Sequence, residues 1–317
     1  CGSDGVDGRW QELRPDMESA PPAPAAEMPQ VNPWIIAISV MFATFLEVLD
    51  TTVVNVSLPH IAGSLSATPE EATWTLTSYL VANAIILPLT GWLSGYFGRK
   101  RLLMLAVSGF TISSFLCGIA PSLGFLVVLR LLQGLTGGVL QPMSQAIMLE
   151  AFPVEQRGKG MAFWGLGIVV GPILGPVLGG WLTDNYSWRW VFYINIPIGI
   201  ASLIMTRTFI FDPPYLKRPR TRVDAVGIGL LVLGIGALQF VLDKGQQVDW
   251  FDSRMIVTLT VISGAALLSF IIHATRATNP VLDLSVLKDR TFATGMTMMT
   301  VLGFVLFGSL VMLPPFL

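Results

Sequence analysis

From Trp34 to the end of the 317-residue chain, apolar runs of about 20 residues recur with short polar punctuation, the pattern of helices that each cross roughly 30 Å of hydrocarbon. Nine spans are predicted, at about 34–56, 72–93, 102–120, 124–149, 161–182, 190–211, 225–242, 255–273 and 292–313. The first 30 residues read differently: Pro21, Pro22, Pro24 and Pro29 stand among Ala, Ser and acidic residues. That composition offers too little apolar surface to fold alone, so a disordered tail is expected. The fold class is therefore an all-α polytopic membrane protein.

Composition strengthens this reading. Charged residues make up only 12% of the chain, against about a quarter in soluble domains, which excludes an ordinary soluble fold. The net charge of -1 is uninformative, but the placement of charge is not. Arg99, Lys100 and Arg101 follow span two; Arg157 and Lys159 follow span four; Arg207, Lys217, Arg218, Arg220 and Arg222 follow span six; Arg276, Lys288 and Arg290 follow span eight. All lie on one side, while the opposite side holds Arg189, Lys244 and Arg254. The basic side, and with it the N-terminus, is expected to be cytoplasmic. The longest basic loop, "FDPPYLKRPRTRVDA", divides six spans from the rest and reads as a domain boundary. The expected layout is a tail over 1–30, a six-helix domain over 31–211, a loop with a two-helix insert over 212–274, and the start of a second domain over 275–317. Cys1 could instead be the lipid-bearing first residue of a mature lipoprotein, an arrangement that would put the N-terminus outside, against the charge pattern. Cys117 lies in an apolar run, and no disulfide or metal framework follows.

Span one carries Glu47 and Asp50 near its middle. Carboxylates at that depth cost a few kcal/mol on insertion scales and usually serve a proton, ion or substrate path. Three residues apart on a helix they lie about 5 to 6 Å from one another, close enough to couple their titration. A structural ion pair is the alternative. Span four supplies a counter-charge: Arg130, Gln133, Gly134, Gly137, Gly138, Gln141 and Gln145 fall within an arc of about 140°, a stripe that must face protein or water. Arg130 either pairs with a carboxylate of span one or snorkels to the headgroups.

Span five spaces Gly167, Gly171, Gly175 and Gly179 at four-residue intervals, with Pro172, Pro176 and Gly180 inserted. Small residues at that interval make a groove for a neighbouring helix, and proline bends the helix that bears it. In the turn "GWLSGYFGRKRLL", Gly91, Gly95 and Gly98 are expected to permit close approach and a tight turn, and Arg99, Lys100 and Arg101 to meet anionic headgroups. Signatures for a serine nucleophile, a zinc protease or a phosphate loop are absent, so no enzymatic chemistry, ATP or zinc is expected.

These segments together resemble the major facilitator superfamily. "GWLSGYFGRKRLL" is similar to its loop between helices two and three, "VLRLLQGLTGG" to its helix-four motif, and "GIVVGPILGPVLGGWL" to the helix-five signature of its antiporters. "LDTTVVNVSLP" resembles the helix-one motif of drug:proton antiporters, with Asp50 and Asn55 at the motif's Asp and Asn. "WRWVFYINIPIG", a basic loop, two further helices and "NPVLDLSVLKDRTF" match the order of the fourteen-helix branch. The resemblance implies a bacterial inner-membrane exporter of small amphipathic drugs with no cofactor beyond the proton gradient. It implies proton coupling at Asp50, Glu47 and Arg130 and a substrate cavity lined by Asn55, Gln133, Gln141 and Gln145. It also implies a periplasmic adaptor and an outer-membrane channel as partners beside membrane lipid, and no nucleic acid. Export of another solute, such as a fatty acid or siderophore, or a non-transporting sensor role, are the alternatives. The motif departs at Gly95, where the family has an acidic residue, so its gate contact is absent or comes from elsewhere. Only one helix of the second bundle is expected, and the chain alone should not transport.

Overall fold

The computed structural model describes residues 32–212, 224–277 and 280–312, with side chains through residue 305. The expected tail, with Cys1, and most of the long basic loop lie outside the described residues. Within them every regular element is helical, in the order α1 Pro33–Ser64, α2 Pro69–Ala72, α3 Trp74–Phe97, α4 Arg99–Gly118, α5 Leu123–Gly137, α6 Leu140–Ala151, α7 Arg157–Asn185, α8 Trp190–Tyr193, α9 Asn195–Phe209, α10 Ala225–Lys244, α11 Arg254–Arg276 and α12 Arg290–Met312. Eight helical stretches among the described residues are long and apolar enough to cross a membrane, α2 with α3, α5 with α6 and α8 with α9 each counting as one. α12 occupies the place of the ninth predicted span.

Local chemistry sets the helix starts. Asn32 accepts from the Trp34 N–H at 3.0 Å and Pro33 follows at the first helical position, where a missing N–H costs nothing. Thr68 and Glu71 form a reciprocal capping box ahead of α3. Asp224 accepts from the Gly227 N–H at 2.9 Å and starts α10. Two predicted spans are interrupted rather than continuous. α5 yields to α6 at Gly138 and Val139, where Pro142 has no N–H for the Gly138 carbonyl, and α8 yields to α9 at Ile194, where Pro197 has none for Tyr193.

α1 is the central element, packed against α7, α6 and α9, with Ala37, Val40, Ala43, Leu46 and Val53 fully buried along it. Its apolar contacts continue into two clusters, one through Leu103, Phe110 and Leu140 and another through Leu126, Val191 and Phe192. The hairpin of α10 and α11 forms a third cluster against α3, through Leu89, Leu231 and Phe270. Lys244, read from the sequence as a loop charge, is 5% exposed: α10 runs past the predicted end of span seven and carries it against α3.

Candidate functional site

Asp50 and Arg130 are both fully buried and form an ion pair, Arg130 Nη1 donating to Asp50 Oδ2 at 2.6 Å. The other carboxylate oxygen accepts from Gln133 Nε2 at 3.0 Å and from Asn195 Nδ2 at 2.7 Å. Arg130 in turn donates from Nη1 to Gln133 Oε1 at 2.8 Å and from Nε to the Thr75 carbonyl at 3.1 Å. Its guanidinium lies 4.2 Å from the centroid of the Tyr79 ring. Every one of these contacts to Asp50 is a donor, so the site is shaped for a carboxylate rather than a carboxylic acid. The snorkelling alternative for Arg130 is excluded by its zero exposure.

Five helices converge here. Asp50 comes from the middle of α1, Arg130 and Gln133 from consecutive turns of α5, and Thr75 from the first turn of α3. Asn195 opens α9 and also donates to Ser114 Oγ of α4 at 3.0 Å; that hydroxyl donates to the Phe192 carbonyl at 2.9 Å. The stripe on span four faces protein, as expected: a Cβ at Gly134 would meet the Tyr79 carbonyl, and one at Gly138 would approach the Asn83 carbonyl at 2.8 Å. These glycines bring α5 against α3, which is what lets Arg130 reach Thr75.

Glu47 lies one turn before Asp50, 8% exposed, and accepts from Asn83 Nδ2 at 2.9 Å. Its second oxygen, together with Arg130 Nη2 and Asn195 Oδ1, is buried without a hydrogen-bond partner among the described residues. Of the four residues expected to line the substrate cavity, Gln133 is instead fully buried within the Asp50 cluster, because its turn of α5 faces α1. Gln141 and Gln145 are half-buried on α6, and Asn55 is exposed on α1, away from the cluster. Asn195, Asn83 and Thr75 were not singled out from the sequence. The first two carried a signal, each being the lone carboxamide in an apolar span. Thr75 acts through its backbone carbonyl and carried none.

α7 packs along α1 through the expected groove. A Cβ at Gly171 would strike Val48 and one at Gly175 would strike Thr52, while at Gly167 and Gly179 it would come within 2.9 Å of Met41 and 3.0 Å of the Val53 carbonyl. Gly180 faces open space and is not part of the groove. Pro172 and Pro176 lie inside a helix that continues through both.

The turn after span two corrects an expectation. Gly91 and Gly95 sit within α3, and among the described residues nothing lies within 4 Å of a Cβ placed at either. Gly98 alone makes the turn, at φ 84°, where a side chain would be strained and would meet the Asp212 carboxylate at 2.9 Å. Asp212 also accepts from the Lys100 N–H at 2.8 Å, Arg99 pairs with Glu150, and Lys100 Nζ donates to the Arg207 carbonyl at 2.7 Å. Carboxylates from the end of α6 and from just beyond α9 thus meet this basic turn.

A buried carboxylate and guanidinium joining four spans, beside a glycine-grooved helix, are a constellation that can be compared with known proteins. The family model described as Major Facilitator Superfamily matches residues 40–316. The chain belongs to the major facilitator superfamily. It is 42% identical over 283 residues to the multidrug export protein EmrB of Escherichia coli K12, a match covering 89% of this chain and 55% of that protein. It is 45% identical over 280 residues to the fatty acid resistance protein FarB of Neisseria gonorrhoeae, covering 88% of this chain and 55% of that protein. The chain thus spans about half the length of these curated relatives. Among solved structures it superimposes on a peptide transporter POT with a TM-score of 0.56 at 17% identity, covering 76% of this chain and 52% of that one. It superimposes on the xylose transporter XylE from E. coli with a TM-score of 0.52 at 20% identity, covering 76% and 70%. These two show the shared superfamily fold.

Proposed function

We propose that this chain forms the proton-coupling part of an exporter that moves small amphipathic compounds out across a bacterial inner membrane in exchange for protons. The observation that carries this reading is the Asp50 and Arg130 pair, closed off from solvent and tied by hydrogen bonds to residues of four spans. A buried ion pair is a costly way to hold helices together, and a reversible proton carrier is a reason to keep one.

The geometry gives the step a form. A proton arriving on Asp50 removes the charge that holds Arg130 and turns an acceptor oxygen into a donor. Asn195 can answer by turning its amide, because Oδ1 is the atom of that side chain without a partner, and it would then accept from the new O–H. Arg130 is released from α1 while Thr75 and Gln133 still hold it on α3 and α5. Protonation thereby loosens one helix against two others, which is the linkage alternating access needs. Glu47, with one oxygen free, is the neighbouring group that receives or passes the proton.

In this reading the basic turns and the N-terminus face the cytoplasm. Residues 31–211 form the first bundle, 212–274 the insert and 275–317 the start of a second bundle, with the compound held between the two bundles. The multidrug export name of the EmrB relative supports drugs as cargo. A periplasmic adaptor and an outer-membrane channel, in Gram-negative cells, are proposed as partners on the resemblance of the sequence motifs alone. The FarB relative supports a second reading, export of fatty acids on the same scaffold. Full-length protein in proteoliposomes is expected to release protons when drug is added, and Asp50→Asn to abolish that release. Undiminished release in Asp50→Asn would overturn the coupling. Resistance profiles in a pump-deleted host, drugs against long-chain fatty acids, separate the two cargoes.

A further inference from the structure

The end of α10 carries two charges that the hairpin itself does not require. Lys244, the last residue of α10, is 5% exposed, and its Nζ donates to Thr73 Oγ1 at 2.6 Å and to Gln247 Oε1 at 3.0 Å. It also lies 5.1 Å from the centroid of the Trp74 ring, which packs on Phe240 of α10. Its neighbour Asp243 accepts a hydrogen bond from the Thr77 hydroxyl. Burying a lysine here is expensive, and apolar packing of α10 on α3 is already provided by Leu231 and Leu89.

The residues these charges grip bracket a single backbone atom. Thr73 and Thr77 lie two residues either side of Thr75, whose carbonyl accepts from Arg130 Nε at 3.1 Å. Thr73 is the junction at which α2 gives way to α3. Among the described residues Arg130 has three acceptors, Asp50 of α1, Gln133 of its own helix and Thr75 of α3. The first two are side chains that can follow the guanidinium. The third is fixed to the backbone, so its place is wherever the first turn of α3 is held. A shift of that turn moves the acceptor off the guanidinium and with it the arm that presents Nη1 to Asp50.

We infer that Asp243 and Lys244 are positioning residues: the two-helix insert clamps the first turn of α3 so that the Thr75 carbonyl holds Arg130 in register with Asp50. The inference rests on the coupling role proposed for Asp50 and Arg130, and gives the insert a part in that role that needs no contact with either residue or with cargo.

The test uses full-length protein and reads Asp50 directly. Dicyclohexylcarbodiimide adds to protonated carboxyl groups in apolar surroundings, so a buried Asp50 that loses its Arg130 partner and takes up a proton becomes reactive, and mass spectrometry reports that modification whether or not the protein transports. Asp243→Leu and Thr77→Val each remove the same bond. Each is expected to raise the Asp50 modification rate and to lower drug-driven proton turnover by about tenfold, the scale of one hydrogen bond to a charged group. Half-saturation for drug is expected to stay within about twofold, because the clamp is remote from cargo. The double variant should add nothing to either single one. Asp243→Asn and Thr77→Ser retain an acceptor and a donor and should restore both readouts. Should Asp243→Leu fail to fold, Thr77→Val and Lys244→Gln carry the test. Unchanged Asp50 modification in the folded variants, or losses that simply add in the double variant, would overturn the clamp. Proton release that persists in Asp50→Asn would instead overturn the coupling reading and leave the modification assay valid.

Discussion

α1 is held on two sides by opposite means. Toward α5 and α9 it offers Asp50, met by three side-chain donors in a site with no exposure. Toward α7 it offers Val48, Thr52 and Val53, met by glycines that provide no side chain at all. The first contact is strong only while every charge is matched and fails if one member changes state. The second is close packing that has no protonation state to change. In the mechanism proposed above, this division gives each side its own part: the charged contact would switch, and the smooth one would let α1 slide along α7.

The largest effect is expected where the charged side is broken halfway. Arg130→Met leaves Asp50 buried and unpaired, and should destabilise the protein in mild detergent by about 3–5 kcal/mol. Adding Asp50→Asn to it should recover most of that loss, since the uncompensated charge is gone; thermal unfolding of the single and double variants checks both. On the smooth side, Gly175→Val drives a branched side chain into Thr52 and should cost about 1–3 kcal/mol by the same measurement, whereas Gly180→Ala should stay within about 0.5 kcal/mol. A large loss in Gly180→Ala would show that the groove is wider than four glycines.

The smallest expected effect lies outside both contacts, where the insert hairpin begins. Burial works against the Asp224 carboxylate, but the Gly227 N–H and the His273 ring, 2.8 Å from Oδ1, outweigh it and hold its pKa below the ordinary carboxylate range. A depressed pKa contributes stability that is complete above that range and is lost as the pH falls through the folded value. His273→Ala should therefore cost about 1 kcal/mol or less near neutrality, and the gap to the parent should close as acid neutralises Asp224 in both proteins. Unfolding midpoints measured across that pH range check the sign.

Hydropathy by itself was enough to find the helices, because a lipid-facing span must be apolar over a fixed length whatever its neighbours are. The same logic made the stripe on span four legible, since polar residues and glycines gathered on one arc have to face protein. Asp50, Arg130 and the α7 glycines could be named for the same reason: an ion or a groove inside hydrocarbon has few innocent explanations. The breaks at Ile194 and Gly138 were written in Pro197 and Pro142 but are read only once the helix ends are seen.

What the tertiary structure decided was pairing. Gln133 belongs to the Asp50 cluster, Asp212 and Glu150 meet the basic turn after α3, and Lys244 is buried against Thr73 rather than standing as a loop charge. The carbonyl of Thr75 could not have been found at all, since a backbone acceptor leaves no mark on the sequence. Span and depth are properties of a segment against the bilayer and are carried by its own residues. Which side chain completes which site depends on how far each helix advances and turns against the next, and that is settled only when all of them pack together.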